Sequence, residues 1–194
     1  TDILLWNQFL SGDDKAYATI YEQHVQSMYA YGMHFTSDSE LVKDCIHDIF
    51  VKIYQNKKNL QPTDNIRLYL FIALKNRLFN IFRKDVEFCQ IDTMEPVFAA
   101  DYTIEDRIID DEQTQLLNEK MIHMLEVLTP RQKEVIYYRY VESLSYDEIE
   151  KIMGMNYQSI QNLVHRSLKK LRNTFSNVEF ALSIVLFFCF SRLF

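Results

Sequence analysis

Two helix-start signals follow one another closely in the last third of the chain, and together they dictate what that part can become. Thr129-Pro130-Arg131-Gln132 combines a hydroxyl N-cap, a proline at the first helical position and a Gln three residues after the cap. Ser145-Tyr146-Asp147-Glu148 repeats the capping-box logic with Ser and Glu. The helix it starts stops at Gly154, where a residue free to take positive φ turns the chain. A further helix begins near Tyr157, so Ser145 to Arg172 has the layout of a helix-turn-helix.

In that last helix Ile160, Leu163, Val164, Ser167, Leu168 and Leu171 recur at steps of three and four and form one buried stripe. Gln158, Ser159, Gln161, Asn162, His165, Arg166, Lys169 and Lys170 are left to face outward. No acid occurs between Tyr157 and Arg172, so the face is amide-rich at its start and basic toward its end. Amides pair with adenine edges in the major groove, and Arg and Lys neutralise phosphates, which makes binding salt-dependent. The bland alternative is a solvated or partner-binding face.

Upstream, Val42, Ile46, Ile49, Phe50, Ile53 and Tyr54 recur at helical spacing from Leu41 to Tyr54, opposite a polar face of Asp44, His47 and Asp48. Asn56 to Asp64 reads as a loop. Leu68 to Lys84 then runs as a long helix without Gly or Pro, with Leu70 or Phe71, Leu74, Leu78 and Ile81 as its core face. On the same helix Asn76, Asn80 and Arg83 stand at i, i+4 and i+7, beside Lys75, Arg77 and Lys84 and interleaved with Phe71, Phe79 and Phe82. Cations, amides and aromatics in one place suit unpaired DNA, whose backbone attracts positive charge and whose bases stack on flat rings. For Phe71 and Phe82 a core position is an equal alternative.

With 48% apolar and 14% aromatic residues against three Gly and three Pro, the 194-residue chain suits an all-α fold and excludes disorder and turn-rich β architectures. Its length accommodates two small helical domains. The net charge of −6 is unevenly spread. Residues 1–86 balance ten acids with ten bases, 87–112 hold nine acids and Arg107 alone, and 113–194 hold ten bases and eight acids. The periodicity fades around Glu95-Pro96 and returns at Gln113, which makes 1–86 one domain, 87–112 an acidic linker and 113–174 the helix-turn-helix domain. The linker repels phosphate, so it either avoids DNA or occupies a site where nucleic acid would otherwise lie, or it is simply a solvated connector.

Cys45, Cys89 and Cys189 form no CxxC spacing, and no signal peptide precedes the first helical pattern, so a reducing cytoplasm is expected. Cys45 and His47 do not converge on one ion from positions two apart on a helix, so no metal and no other cofactor is expected. Asp147, Glu148 and Glu150 are explained by the helix macrodipole. With no phosphate-cradling Gly-rich loop, nucleophile elbow or HExxH, the sequence offers no catalytic residue and no small-molecule substrate site, and an enzyme is not expected. Phe180 to Phe190 is almost continuously apolar but shorter than the about 20 residues a membrane span needs. The tail, 175–194, packs on the second domain or a partner, or else associates with a membrane surface.

Four segments in order, FLSGDDKAYATIYEQH, DCIHDIFVKIYQN, IRLYLFIALKNRLFNIFRK and LTPRQKEVIYYRYVESLSYDEIEKIMGMNYQSIQNLVHRSLKKLR, make the chain resemble an extracytoplasmic-function sigma factor of the sigma-70 family from Leu4 to Arg172. The resemblance implies that the first domain binds core RNA polymerase and melts and reads the minus-ten promoter element, while the second reads the minus-thirty-five element. Asp44, His47 and Asp48 match the helix that docks on the clamp helices of the largest polymerase subunit, with His47 where Gln is usual. Asn76 matches a residue that contacts a flipped minus-ten base, and Arg77, Asn80, Arg83 and Lys84 share its helix. Gln158, Ser159, Gln161, Asn162, His165, Arg166 and Lys169 supply minus-thirty-five contacts. Gln161 and Leu163 stand where Arg is common, and Leu163 belongs to the buried stripe.

The family further implies a linker threading toward the polymerase active-site cleft and an anti-sigma factor that masks these surfaces. The rival readings are a stand-alone helix-turn-helix regulator, which would bind a palindromic site as a dimer, and a helical adaptor or membrane-associated interaction protein.

Overall fold

The computed structural model describes residues 1–89, Phe98 and residues 125–174. The chain divides into two units, Thr1–Val97 and Phe98–Phe194. The described elements are all helical.

In the first unit α1 (Asp2–Leu10), α2 (Asp14–Met33), α3 (Ser39–Gln55) and α4 (Ile66–Cys89) pack together, with one 3-10 turn at Lys57–Asn59 inside the segment read as a loop. Three of the four starts are capped by side chains. Asp13 accepts from the Lys15 N–H at 2.8 Å at the head of α2, and Asp38 accepts from the Leu41 N–H at 3.0 Å at the head of α3. Caps of this kind each contribute about 1 kcal/mol. The head of α4 is capped from two places: the Asn65 side chain accepts from the Leu68 N–H at 2.8 Å, and Asp2 reaches across from α1 to accept from the Ile66 N–H at 3.0 Å. Those bonds start α4 at Ile66, two residues ahead of the start read from periodicity.

The core runs through Trp6, Phe9, Ile20, Tyr31, Val42, Phe50, Leu70, Phe71, Leu74 and Leu78. Leu70 and Phe71 are both buried because α4 packs against α1, α2 and α3 at once, and the Phe71 ring stacks on Tyr31 at 4.2 Å. Trp6 is fully buried and donates its indole N–H to the Gln61 carbonyl at 3.0 Å, tying α1 to the loop before α4. At Gly32 α2 comes close to α3: a Cβ there would lie 2.5 Å from Val42 Cγ1.

The described part of the second unit holds α5 (Pro130–Ile136), a wide turn at Tyr137–Val141, α6 (Tyr146–Met153) and α7 (Tyr157–Thr174). Both capping boxes form. Thr129 Oγ1 accepts from the Gln132 N–H at 3.4 Å while Gln132 accepts from the Thr129 N–H at 3.0 Å. Ser145 Oγ accepts from the Glu148 N–H at 3.3 Å while Glu148 accepts from the Ser145 N–H at 2.8 Å. Gly154 ends α6 in the left-handed region at φ 63°. The wide turn closes with the Glu142 N–H donating to the Tyr137 carbonyl at 3.1 Å, one residue beyond α-helical spacing.

This turn directs Tyr138 fully inward, where its hydroxyl donates to Glu134 at 3.0 Å. Phe98, although it falls in the 87–112 segment, is buried beside Tyr137 and Tyr138, with ring centroids at 5.4 and 6.4 Å. The rest of the segment from residue 90 on, the residues from Gln113 to Met121 and the apolar tail 175–194 lie outside the described residues.

Candidate nucleic-acid interfaces

On α7, Ile160, Leu163, Val164, Ser167 and Leu171 are buried and Leu168 is half-buried, so the helix has one inner stripe. Ser167 fits that stripe because its hydroxyl donates to the Leu163 carbonyl at 2.7 Å and leaves no polar demand on the core. Gln158, Asn162, His165, Arg166, Lys169 and Lys170 are exposed on the opposite side, with Ser159 and Gln161 half-buried at its border. Asn156 heads the helix by accepting from the Ser159 N–H at 2.9 Å. The first two turns therefore present amides and the later ones cations, the order that puts hydrogen-bonding groups on base edges and charge on phosphates.

Two further residues lie beside this face or the turn that leads into it. Tyr157, 42% exposed in the first turn, accepts from Gln161 Nε2 at 3.3 Å and packs edge-on against Tyr146. Arg131, exposed near the start of α5, reaches Met155 in the turn of the helix-turn-helix, with Nη1 3.6 Å from the sulfur. The signals for them were an aromatic opening a helix of amides and a cation directly after a helix-starting proline.

On α4, Asn76, Asn80, Arg83 and Lys84 are all exposed, and the first three lie on one face. The aromatics divide differently. Phe71 belongs to the core, Phe79 is half-buried against Phe35 at 5.6 Å with the Lys75 ammonium 5.5 Å from its centroid, and Phe82 is half-buried. Arg77 does not stand with the exposed polar residues. Its guanidinium turns to α3 and donates to Asp48 at 2.6 Å.

The polar face of α3 is formed by exposed Asp44 and His47 and half-buried Asp48. Between them Cys45 points inward and is buried, and burial pushes its thiol pKa above the usual value, with the nearby Arg77 charge opposing part of the rise. Among the described residues no group of three or more His, Cys, Asp or Glu is placed to hold a metal ion, and no helix is long and apolar enough to cross a membrane.

Comparison with known proteins follows the same division. Residues 20–86 match the model of sigma-70 region 2, and residues 118–171 match that of sigma-70 region 4. The chain is 24% identical over 155 residues to the RNA polymerase sigma factor YlaC of Bacillus subtilis, covering 79% of this chain and 88% of that protein. It is 20% identical over 176 residues to the RNA polymerase sigma factor CarQ of Myxococcus xanthus, covering 89% and 96%. Its fold resembles that of CnrH in complex with the cytosolic domain of CnrY, with a TM-score of 0.56 at 18% identity, covering 89% of this chain and 96% of that one. It also resembles the sigma factor RpoE in complex with the anti-sigma factor NepR from Bartonella quintana, with a TM-score of 0.58 at 19% identity and coverage of 82% and 96%. Two matched regions of one family, in the family's order and spanning more than half of the chain, with relatives that align over most of both lengths, make this chain a member of the sigma-70 family of RNA polymerase sigma factors, of the extracytoplasmic-function type.

Proposed function

We infer that the chain binds core RNA polymerase and directs it to start transcription at particular promoters, with the division of labour set by its two helical units. The observation that carries this is the match of the first unit to region 2 and of the second to region 4, each bearing a polar helix face suited to nucleic acid. A stand-alone helix-turn-helix regulator accounts for the second unit only and leaves the region 2 match without a purpose.

In our reading 1–86 is the domain that binds core and opens DNA, 87–112 the acidic linker and 113–174 the upstream-element reader. Asp44, His47 and Asp48 form the docking face for polymerase, since acids on an exposed helix side attract a basic partner surface. Asn76, Asn80, Arg83 and Lys84 take the minus-ten strand: amides hold splayed bases while the two cations follow the backbone. Gln158, Ser159, Gln161, Asn162, His165, Arg166 and Lys169 read the minus-thirty-five duplex from the major groove. Tethering two weak readers raises the effective concentration of each for its element once the other is bound, so selectivity needs both elements at the right spacing.

The protein supplies no chemistry of its own in this scheme; polymerase makes the phosphodiester bonds, and the reducing cytoplasm is where they meet. Two solved relatives are held in complexes, one of them with an anti-sigma factor, which supports an inhibitory protein for this chain that covers the same faces. Capture of core polymerase on the immobilised chain tests the reading. Retention of all core subunits at near-physiological salt is expected, and failure to retain them would return the case to a DNA-binding regulator or a helical adaptor.

A further inference from the structure

Arg77 lies on the helix that carries the minus-ten residues, yet it points the other way. Its guanidinium crosses to α3 and donates to Asp48 at 2.6 Å, a contact that spans 29 residues of sequence. Its Nε is buried with no hydrogen-bond partner, so the stem of the fork is enclosed between the helices while its tip reaches the carboxylate. The Arg77 and Asp48 side chains are 36% and 45% exposed, which screens the pair from solvent only partly. Cys45, one turn before Asp48 on α3, is buried beside Arg77 and offers no competing charge.

A cation that escapes to DNA would have to abandon this pair and leave a lone carboxylate on the α3 face. A cation that stays orients Asp48, whose remaining lone pairs accept from a second donor without breaking the first contact. We propose that Arg77 is a positioning residue for polymerase docking: it holds the Asp48 carboxylate in place on the α3 face and takes no part in reading the minus-ten strand. The inference rests on the docking role given to the α3 face above. It divides one helix into two tasks, with Asn76, Asn80, Arg83 and Lys84 facing DNA and Arg77 serving the neighbouring helix.

The test measures core affinity and promoter opening separately for the full-length chain and for Arg77→Met, Arg77→Lys, Asp48→Ala, Asp44→Ala and the Arg77→Met/Asp48→Ala double variant. Arg77→Met keeps the length of the stem and removes the charge, and helix content and the melting curve confirm that each variant folds. The expected result for Arg77→Met is about two- to fivefold weaker binding of core, in the range of a partly exposed ion pair that orients a docking group. Arg77→Lys should recover most of that loss, because one donor suffices for the observed contact. Arg77→Met should add little to Asp48→Ala, and opening by the variant holoenzyme at saturating core should match the parent within about twofold, as for a group that acts before DNA is engaged.

Parental core affinity with lost opening at saturating core would place Arg77 on DNA and overturn the inference. Additive losses from Arg77→Met and Asp48→Ala would break the link between the two residues and overturn it as well. If Asp44→Ala and Asp48→Ala both bind core like the parent, the docking role of α3 itself falls and takes the inference with it, whereas loss in Asp44→Ala alone leaves that role standing and refutes only the part given to Arg77. If Arg77→Met does not fold, Arg77→Lys and Asp48→Ala decide the matter: parental core affinity in Asp48→Ala refutes the proposal.

Discussion

Gly32→Ala sets two opposing effects of known size against each other at the junction of α2 and α3. Gly32 lies in the last turn of α2, where alanine is favoured over glycine by less than the about 0.8–1 kcal/mol of a helix interior, so helix propensity alone stabilises the variant by less than that. The new methyl would lie 2.5 Å from Val42 Cγ1, 3.3 Å from Val42 Cγ2 and 3.4 Å from Leu74 Cδ2. Valine in a helix has one strongly preferred rotamer and cannot swing its methyls away, so α3 itself must move. Overpacking of this kind costs about 1–3 kcal/mol, which outweighs that smaller propensity gain and leaves a net loss of up to about 3 kcal/mol. Trp6, the only tryptophan of the chain, is fully buried in the first unit, so its fluorescence in urea follows that unit. A lower midpoint for Gly32→Ala is expected, and in the background of Val42→Ala the same change should become neutral or stabilising. A midpoint raised by the full propensity gain in the parental background would refute the close approach of the two helices. Val42 stands two residues before Asp44, so the same displacement should also weaken core binding.

Asn76→Ala should lose promoter opening while keeping affinity for core, and Gln161→Ala should open DNA normally but change its preference among upstream elements; transcription by both variants like the parent from every promoter tested would refute the residue assignments. Binding of the second unit's face to duplex DNA should weaken with salt, and replacing Lys169 and Lys170 together by Ala should reduce the slope of log K against log salt by up to about 2, the contribution of two neutralised phosphates. An unchanged slope would place those lysines away from phosphate. Cys45 should resist alkylation until the first unit unfolds. Because its folded pKa is raised by burial, its linkage to stability is felt only at alkaline pH: below the ordinary value of 9.0 the thiol is protonated in both states, and above it the unfolded chain ionises first, so stability falls as pH rises toward the folded value. A Cys45→Ser variant should show a smaller alkaline decline in urea midpoints than the parent, with the part due to the phenols of Tyr17 and Tyr69, also raised by burial, remaining.

What the sequence made legible was local. The caps at Thr129 and Ser145, the stop at Gly154 and the inner stripe of α7 depend on residues within four positions of one another, and each appears in the structure with its hydrogen bonds. What stayed hidden was paired over distance. Asp2 caps α4 across 64 residues and Trp6 ties to Gln61 across 55, so neither contact leaves a periodic trace. The same holds for Arg77: on a helical wheel it is one more cation beside Asn76, and only the packing of α3 on α4 shows that its charge is directed to Asp48. Phe71 stands open between core and nucleic-acid face in the sequence, and its burial with Tyr31 stacked on it at 4.2 Å assigns it to the core. Phe98 reads as one apolar residue in an acidic segment, and its burial against Tyr137 and Tyr138 depends on a wide turn that no pattern announces.

The central claim, that this chain makes core polymerase start at promoters it otherwise ignores, is tested most directly by run-off transcription from genomic fragments with core alone, with core and the chain, and with core and an Asp44→Ala/Asp48→Ala variant. New transcripts of defined start should appear with the parent chain and be lost or strongly reduced with the variant. Transcripts identical to those of core alone would contradict the claim, and equal transcripts from parent and variant would keep the sigma factor but remove polymerase docking from the α3 face.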